Sequence, residues 1–409
     1  MSRTTSVIVA IVVAGLSLHC GKESATAPDG SGPPLSVKGR IASVVSGRSQ
    51  LAPASRAFGA ATVQKVLVYR DFGAADISPV DANGSFSVTV ERKACGLVFL
   101  DGSDHVVGYL SLAGGIEALP LMMVDSAVAQ IDLRDITIQD GVGTPQHDPL
   151  GAGGEAPMTA GEVAAYRLQS ALFATIIRNL DMDGDGVIDV LTARPYWLMF
   201  GADFDGGTAA TSSSGASGAM PALNVFHFNF SDYNITAGTP SAELVTPDGG
   251  RFAMHEAGRF TFMRNGQPGI TASMYHWVLQ NTSWSSFNPG RYQITYDAGR
   301  QVSFDVASPL NADNYIVAAH FWYEMTGTRI TKVHWQWHML NGAGIDATRL
   351  LQEDVALQFS YGIARQITYH VTPGDTAYAV DVDTTGLQSM LLGCNDLFGN
   401  VQMTNYRIR

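Results

Sequence analysis

The chain has 409 residues, of which 46% are hydrophobic and only 15% are charged, and its formal net charge is −12. This length allows two or three domains with hydrophobic cores, and the low charge means that the surface relies on Ser, Thr, Asn, Gln and Gly. Only five lysines occur and no basic stripe is present, which argues against a protein that binds nucleic acid through phosphates.

Residues 1–20 have the pattern of a secretory signal peptide. Arg3 supplies the positive charge, and residues 7–18 form an apolar run that is too short to span a membrane as a helix. The run leads to Leu18-His19-Cys20-Gly21, which resembles a bacterial lipobox, although Ser17 and His19 depart from the usual pattern. The resemblance implies that Cys20 is lipidated and anchors the chain to a membrane at the cell surface.

A second cleavage site, Ala25-Thr26-Ala27, is the alternative to the lipobox, and Pro28 directly after it should hinder cleavage. Either site predicts an exported protein. Residues 21–35, which are rich in Gly, Ser, Ala and Pro, are predicted to be a flexible tether.

Residues 36–138 alternate with period two between turn signals, which predicts β-strands. An opening strand, residues 37–41, is followed by the turn and strand Asp81-Ala82-Asn83-Gly84-Ser85-Phe86-Ser87-Val88. This order resembles the carboxypeptidase-regulatory-like (prealbumin-like) sandwich. The resemblance implies a small β-sandwich that acts as a spacer or binding module, with residues 131–136 in its last strand. Residues 139–158, rich in Gly and Pro, are predicted to be a linker.

Cys95 and Cys394 are the cysteines that remain after Cys20. An exported protein allows a disulfide between them. Two separate buried thiols are the alternative interpretation, because the two residues fall in different predicted domains. Neither has the spacing of a redox or haem motif.

Residues 159–195 are predicted to be a helix followed by a calcium loop. Thr159-Ala160-Gly161-Glu162 forms a capping box, and apolar residues then recur at helical spacing as far as Ile177. If Asp181 is position one, Val187 offers its carbonyl at position seven, and carboxylates occupy positions three, five and nine as Asp183, Asp185 and Asp189. Gly186 at position six allows a sharp turn, and Ile188 at position eight can pin the loop to a core.

This run resembles the loops of the EF-hand family, including the dockerin and thrombospondin type-3 versions, and the resemblance implies Ca²⁺ as the cofactor. It departs from the family at position twelve, where Thr192 replaces a bidentate Glu. A ligand must therefore come from elsewhere, with Asp203 and Asp205 as candidates, and we expect affinity of about 10⁻⁴ to 10⁻³ M. The alternative, a turn whose carboxylates face water, leaves four repelling charges without a cation.

Residues 196–409 are predicted to form a larger β-sandwich or jelly roll, because ten candidate strands follow one another at hairpin spacing. These predicted strands are residues 259–264, 270–280, 292–297, 302–306, 315–325, 329–340, 355–361, 366–371, 377–382 and 401–408. Gly201 to Ala219 consists mostly of small residues and is predicted to be a surface loop. In the aromatic-rich segment 334–338, strand geometry places Trp335 and Trp337 on one face and His334, Gln336 and His338 on the other.

Three interpretations of this aromatic-rich segment remain open. Trp335 and Trp337 could stack on sugars, or they could face the core. One of the two histidines could instead join His320 or Glu324, across the hairpin, in a metal site.

The predicted fold is therefore mainly β, with two β-sandwich domains joined by one helix and a calcium-binding loop. No nucleophile elbow, zinc-protease motif or P-loop occurs, so enzymatic activity stays uncertain and is not favoured. We expect an exported, lipid-anchored cell-surface protein with a structural, adhesive or assembly role, acting through self-association or a surface glycan. The alternative is a secreted glycan-binding or glycan-active protein that uses the aromatic-rich C-terminal domain.

Overall fold

In the computed structural model the described residues are 33–45, 63–70, 75–191, 196–211, 220–232, 241–263, 271–281, 286–307, 310–311, 315–352, 354–362, 365–397 and 400–408. The predicted signal peptide, Cys20 and Thr192 lie outside them. Within these ranges the chain is mainly β and has one α-helix, which confirms the predicted fold class.

Nine strands form the first sheet. They are β1 (Leu35–Val45), β2 (Lys65–Arg70), β3 (Ala75–Pro79), β4 (Ser85–Val90), β5 (Ala94–Leu100), β6 (Val106–Leu110), β7 (Leu119–Pro120), β8 (Gln130–Gln139) and β9 (Val142–Pro145). Their order is β3-β2-β5-β6-β9-β8-β1-β4, and β7 pairs with β5. The β1–β8 and β6–β9 pairs are parallel. Strand β4 alternates between buried and less buried residues, as expected for a strand with one face on a core, whereas every residue of β5 is buried.

The predicted linker at residues 139–158 is a packed part of the fold. It contains β9, and Leu150 and Ala156 are buried after it. The Ala156 N–H donates to the Pro149 carbonyl over 2.9 Å, and His147 Nε2 lies 2.8 Å from Glu155 Oε2. The glycines and prolines of this segment therefore serve tight turns, and the first sheet continues beyond residue 138.

Helix α1 (Ala160–Arg178) begins at the predicted capping box. The Thr159 N–H donates to Glu162 Oε2 over 2.7 Å, and the Glu162 N–H donates to Thr159 Oγ1 over 3.3 Å. Glu162 also pairs with Arg349 at 2.7 Å, and Gln169 Nε2 donates to the Leu350 carbonyl over 3.0 Å. These two contacts join the helix to the C-terminal part of the chain.

The last turn of α1 is joined to the first sheet. Arg178 donates to the buried carboxylate of Glu117, and its guanidinium lies 4.9 Å from the centre of the Tyr109 ring. Because its first turn is bonded to the C-terminal part of the chain and its last turn to the N-terminal part, α1 acts as a connecting element between them.

The C-terminal part contains sixteen further strands among the described residues. They are β10 (Tyr196–Thr208), β11 (Ala222–Asp232), β12 (Ala242–Val245), β13 (Arg251–Met263), β14 (Thr271–Asn281), β15 (Ser286–Phe287), β16 (Gly290–Tyr296), β17 (Arg300–Val306), β18 (Leu310–Asn311), β19 (Ile316–Thr326), β20 (Arg329–Met339), β21 (Val355–Ser360), β22 (Gln366–Val371), β23 (Ala377–Asp383), β24 (Ser389–Asn395) and β25 (Val401–Arg407).

Eleven of these strands form one large sheet in the order β17-β16-β12-β13-β14-β11-β10-β25-β24-β21-β22. Strands β19, β20 and β23 form a second sheet, and β15 pairs with β18. The prediction of a surface loop from Gly201 to Ala219 is wrong for residues 201–208, because these residues lie in β10. Gly201 and Ala202 are small but buried, and Phe200 and Phe204 beside them are core residues. Residues 212–219 are outside the described part.

Buried apolar side chains form two clusters. The smaller cluster is rich in aromatic residues of the large sheet, among them Phe200, Phe228 and Phe304. The larger cluster begins at Leu35 in the first sheet, continues through α1 and reaches strands β19 to β24. The predicted joint at residues 159–195 is thus bridged by a continuous core, and the two β regions are not separated there by an unpacked hinge.

Both described cysteines, Cys95 and Cys394, are buried and free. This confirms the interpretation of two separate thiols. Burial raises the pKa of the Cys95 thiol to about 12, so it is protonated at neutral pH.

Candidate metal centre

The acidic loop begins where α1 ends and is fastened to an edge strand of the large sheet. Asn179 Nδ2 donates to the Asp305 carbonyl over 3.0 Å, and the Asp305 N–H donates to Asn179 Oδ1 over 2.7 Å. The Ser303 N–H donates to the Met182 carbonyl over 2.8 Å. Strand β17, which holds Ser303 and Asp305, pairs only with β16 among the described strands. The loop therefore supplies partners for backbone groups that an edge strand would otherwise expose.

Backbone N–H groups shape the loop around its carboxylates. Asp181 Oδ2 accepts from the Gly186 N–H at 3.0 Å, and Asp183 Oδ1 accepts from the Asp185 N–H at 3.2 Å. Asp185 Oδ1 in turn accepts from the Val187 N–H at 2.7 Å. Gly186 has a φ of 88°, in the left-handed region that favours glycine, as its predicted role in a sharp turn requires.

Three of the predicted ligands converge. One carboxylate oxygen from each of Asp181, Asp183 and Asp185 lies within 4.8 Å of the others, and all three residues are exposed. Calcium binds oxygens at 2.3–2.6 Å, so two ligands on opposite sides of one ion are about 5 Å apart. The spacing therefore fits a single Ca²⁺. Among the described residues this is the only group of three or more acidic, His or Cys side chains with such spacing.

The three converging carboxylates repel one another when all of them are ionised and no cation is bound. Partial desolvation of the otherwise exposed Asp181 carboxyl, followed by the neighbouring charges of Asp183 and Asp185, raises its pKa despite hydrogen bonds from Gly186 and Gly184. A divalent cation would remove the repulsion among these carboxylates. Tyr196, at the start of β10, donates its hydroxyl to Asp183 Oδ2 over 3.1 Å and orients that side chain.

Asp189, the predicted ligand at position nine, is buried and lies outside the converging group. Its Oδ2 accepts from the Met182 N–H at 2.9 Å, and its own N–H donates to the Leu180 carbonyl over 2.6 Å. Burial, with added repulsion from the three converging aspartates, raises the pKa of Asp189 to about 8. Asp189 therefore closes the base of the loop in this conformation.

The remaining positions of the loop divide between core and solvent. Ile188 is buried within the larger core cluster, which confirms its predicted role as a pin. Val187, whose carbonyl was predicted at position seven, is 49% exposed. Asp205 pairs with Arg407 at 3.2 Å, and Asp203 is buried in β10. Neither joins the converging group, so these candidates for the missing ligand are not brought to the loop.

The tryptophans of β20 are core residues. Trp335 is fully buried and Trp337 is 7% exposed, so neither presents an indole face on which a sugar could stack. His334, Gln336 and His338 lie on the opposite, more exposed face, as the strand period predicted. Of the interpretations left open for this segment, the burial of both indoles favours a core-facing tryptophan pair over a sugar platform. The period-two pattern predicted which residues of β20 share a face. It could not predict which of the two faces would be buried.

The histidines of this hairpin form two separate pairs. His334 Nε2 lies 2.7 Å from Glu324 Oε1, and its ring stacks on Trp322 with centroids 4.9 Å apart. His320 and His338 have ring centroids 5.1 Å apart, and His320 has a φ of 48° at a register shift between β19 and β20. The predicted cross-strand proximity is present, but no third ligand among the described residues converges on either pair.

Sequence reasoning missed Asn179 and Tyr196. Asn179 could be assigned only to the last helical turn, because its partner Asp305 is 126 residues away in sequence. Tyr196 directly follows Pro195, and nothing in that order indicates a contact with Asp183.

Comparisons with known proteins give no family assignment. Neither the scan against protein-family models nor the search of curated proteins returned a match. Solved structures with some similarity include a pullulanase from Anoxybacillus sp. LM18-11, at 14% identity, 42% coverage of this chain, 22% of that chain and a TM-score of 0.14. The chain thus spans less than a quarter of the length of that enzyme.

Two other solved structures cover more of the chain. A DUF3823 family protein from Bacteroides ovatus matches at 10% identity over 68% of this chain and all of that chain, with a TM-score of 0.13. A Ca²⁺-stabilised, ice-binding adhesin of an Antarctic bacterium matches at 13% identity over 92% of this chain and 74% of that chain, with a TM-score of 0.15. These scores are too low to show a shared fold.

Proposed function

We propose that this chain is an exported, lipid-anchored protein of the cell surface with a structural or adhesive role, stabilised by Ca²⁺. The observation that carries the calcium part is the convergence of Asp181, Asp183 and Asp185 in a loop fastened to strand β17. An ion that fixes this loop would also fix the contact between α1 and the large sheet. The described part of the chain has no helix that is long and apolar enough to cross a membrane.

The calcium proposal predicts a gain in stability that depends on the loop. With a dissociation constant near 10⁻⁴ to 10⁻³ M, about 10 mM Ca²⁺ should stabilise the folded protein by roughly 1–3 kcal/mol. The double variant Asp183→Ala, Asp185→Ala should lose this gain. We would measure thermal unfolding by calorimetry across a calcium titration, with Mg²⁺ as a second cation.

A matched control removes two carboxylates outside the loop, Asp381→Ala with Asp383→Ala, and changes the net charge equally. Its melting temperature should still rise with calcium by the same amount as that of the unmodified protein. If the unmodified protein and the loop variant respond identically to calcium, the ion does not bind in this loop.

The anchor is tested separately from the calcium site. Cells that express the full chain and are grown with labelled palmitate should label the protein at Cys20, and Cys20→Ser should abolish the label. A mature protein with a free, unlabelled N-terminus would exclude lipid anchoring while leaving the calcium proposal intact.

An adhesive or structural role also requires a surface that meets a partner. Self-association and contact with a surface glycan are the two modes we propose. The burial of Trp335 and Trp337 removes the most obvious aromatic platform for the glycan, so any glycan contact needs a different site.

A further inference from the structure

A cleft of about 350 Å³ lies at the turns that precede strands β13 and β16 of the large sheet, and none of its lining residues belongs to the acidic loop. It is bounded by the β12–β13 turn and by the segment that leads into β16, and its walls include Pro247, Asp248, Phe252, Asn288, Pro289 and Tyr292. This volume is at the lower end of the range of about 300–1,000 Å³ that is typical of small-molecule sites. It suits a ligand with one or two rings.

The two turns hold each other in place. Gly290 has a φ of 135°, and a Cβ atom at this position would lie 2.6 Å from Pro247 Cβ, so the two turns are in direct contact. The Thr246 N–H donates to the Gly250 carbonyl over 2.9 Å, and the Tyr292 hydroxyl donates to the Asn288 carbonyl over 2.9 Å. The walls are thus fixed by the protein's own contacts before any ligand binds.

Aromatic side chains form the apolar part of the cleft. Tyr292 stacks on Phe304 with ring centroids 5.1 Å apart and contacts Phe287 at 6.0 Å, which ties its ring to the aromatic core. Phe252 is partly exposed, and a Cβ on Gly250 would be 3.0 Å from its ring. The missing side chain at residue 250 therefore lets the Phe252 ring lie against the turn.

Polar groups come from both turns. Asp248 is exposed, and the Thr246 hydroxyl, followed by the Gly250 N–H, lowers the pKa of its carboxyl, which is an acceptor at neutral pH. Asn288, also exposed, adds an amide that can donate and accept. The described lining residues include no Lys or Arg, so an anionic ligand would find a negative charge and no compensating cation.

The geometry points to a binding site for a neutral saccharide ring. Such a ring combines hydroxyl groups, which would pair with Asp248 and Asn288, with apolar C–H faces, which would contact Phe252 and the flanking prolines. A rigid apolar wall with a few convergent polar groups is the usual composition of a small-molecule site. The inference goes beyond the structural role proposed above and uses neither the calcium loop nor the lipid anchor.

Saturation-transfer NMR on the full chain would test the site. The probes are methyl β-glucoside, methyl α-mannoside and methyl β-galactoside, with glucuronate as an anionic counterpart. We expect transfer to the ring protons of at least one neutral glycoside and weaker transfer to glucuronate. Phe252→Ala and Asn288→Ala should each weaken binding about three- to tenfold, the effect of losing one modest contact.

Asn83→Ala is the matched control, because Asn83 is likewise an exposed asparagine in a turn, between β3 and β4. It should bind like the unmodified protein, and thermal melts should show that all variants are folded. The inference is overturned if no neutral glycoside receives saturation, if glucuronate binds best, or if folded Phe252→Ala and Asn288→Ala variants bind as well as the control. A failure of the calcium proposal would leave these results unaffected.

Discussion

Replacing Arg92 with alanine should lower the free energy of unfolding by roughly 3–5 kcal/mol. This is the cost expected when a buried charged side chain is removed and its hydrogen-bond partners stay behind. The Arg92 side chain is only 5% exposed. Its guanidinium donates to five backbone carbonyls, at 2.6–3.3 Å, those of Pro33, Val124, Asp125, Ser126 and Val128. Alanine would remove the guanidinium donor from all five carbonyls and open a cavity beside them, although the Asp125 carbonyl would keep its bond from the Val128 N–H at 2.9 Å.

The prediction is checked by urea unfolding against two other variants. Arg92→Lys keeps the charge but has fewer and differently placed donors, so it should fall between the unmodified protein and Arg92→Ala. Arg40→Ala removes an exposed pair with Asp135 at 2.7 Å and should cost much less than Arg92→Ala, because water screens an exposed ion pair. If Arg92→Ala costs no more than Arg40→Ala, the carbonyl network contributes little to stability.

Asn179→Ala should have the second largest effect, a loss of about 2–3 kcal/mol. The side chain makes three hydrogen bonds, to the Thr175 carbonyl at 2.5 Å and to both backbone groups of Asp305. Its removal would leave the Asp305 N–H and carbonyl without these partners and loosen the loop from β17. Calcium should then stabilise the variant less, because the ion would fix a loop that is joined to the sheet by fewer hydrogen bonds.

Thermal unfolding with and without calcium would separate these two effects. Asn341→Ala is the matched control, since Asn341 bonds only locally to the Ala343 N–H at 3.0 Å among the contacts of the described residues. It should cost less than about 1 kcal/mol and leave the calcium response unchanged. An equal calcium response in Asn179→Ala would show that the loop and the sheet edge are energetically independent.

The alternation of apolar and polar residues predicted some strands of the C-terminal part but not others. The prediction of a strand at residues 366–371 matches β22, and the predicted strand 355–361 differs from β21 by one residue. The same period is present at Phe226, Phe228 and Phe230, all of which are buried in β11, although this strand was not predicted. Strand β10 was missed for a different reason, because its small residues resemble those of a loop.

The candidate sites could be predicted only in part from the sequence, because the contacts that hold them together join residues far apart along the chain. The alternation of Asp181, Asp183 and Asp185 predicted carboxylates that face one another, and the structure brings them together. Nothing local indicates that Asn179 would reach Asp305. Likewise the turn at Pro247 and the glycine at 290 meet only because β12 pairs with β16, which no short pattern reveals.

The acidic loop makes the two edges of the large sheet different, because in the described part of the chain it is bonded to only one of them, β17. At its other end, β22 pairs only with β21 among the described strands. Two copies that joined edge to edge through this sheet would each use β22 and form a closed, two-fold pair. Release of the acidic loop would uncover β17 as well, and a sheet with two free edges can add copies without limit. A loop that stays bonded to β17 would therefore limit edge-to-edge association to such pairs, and bound calcium would favour that state.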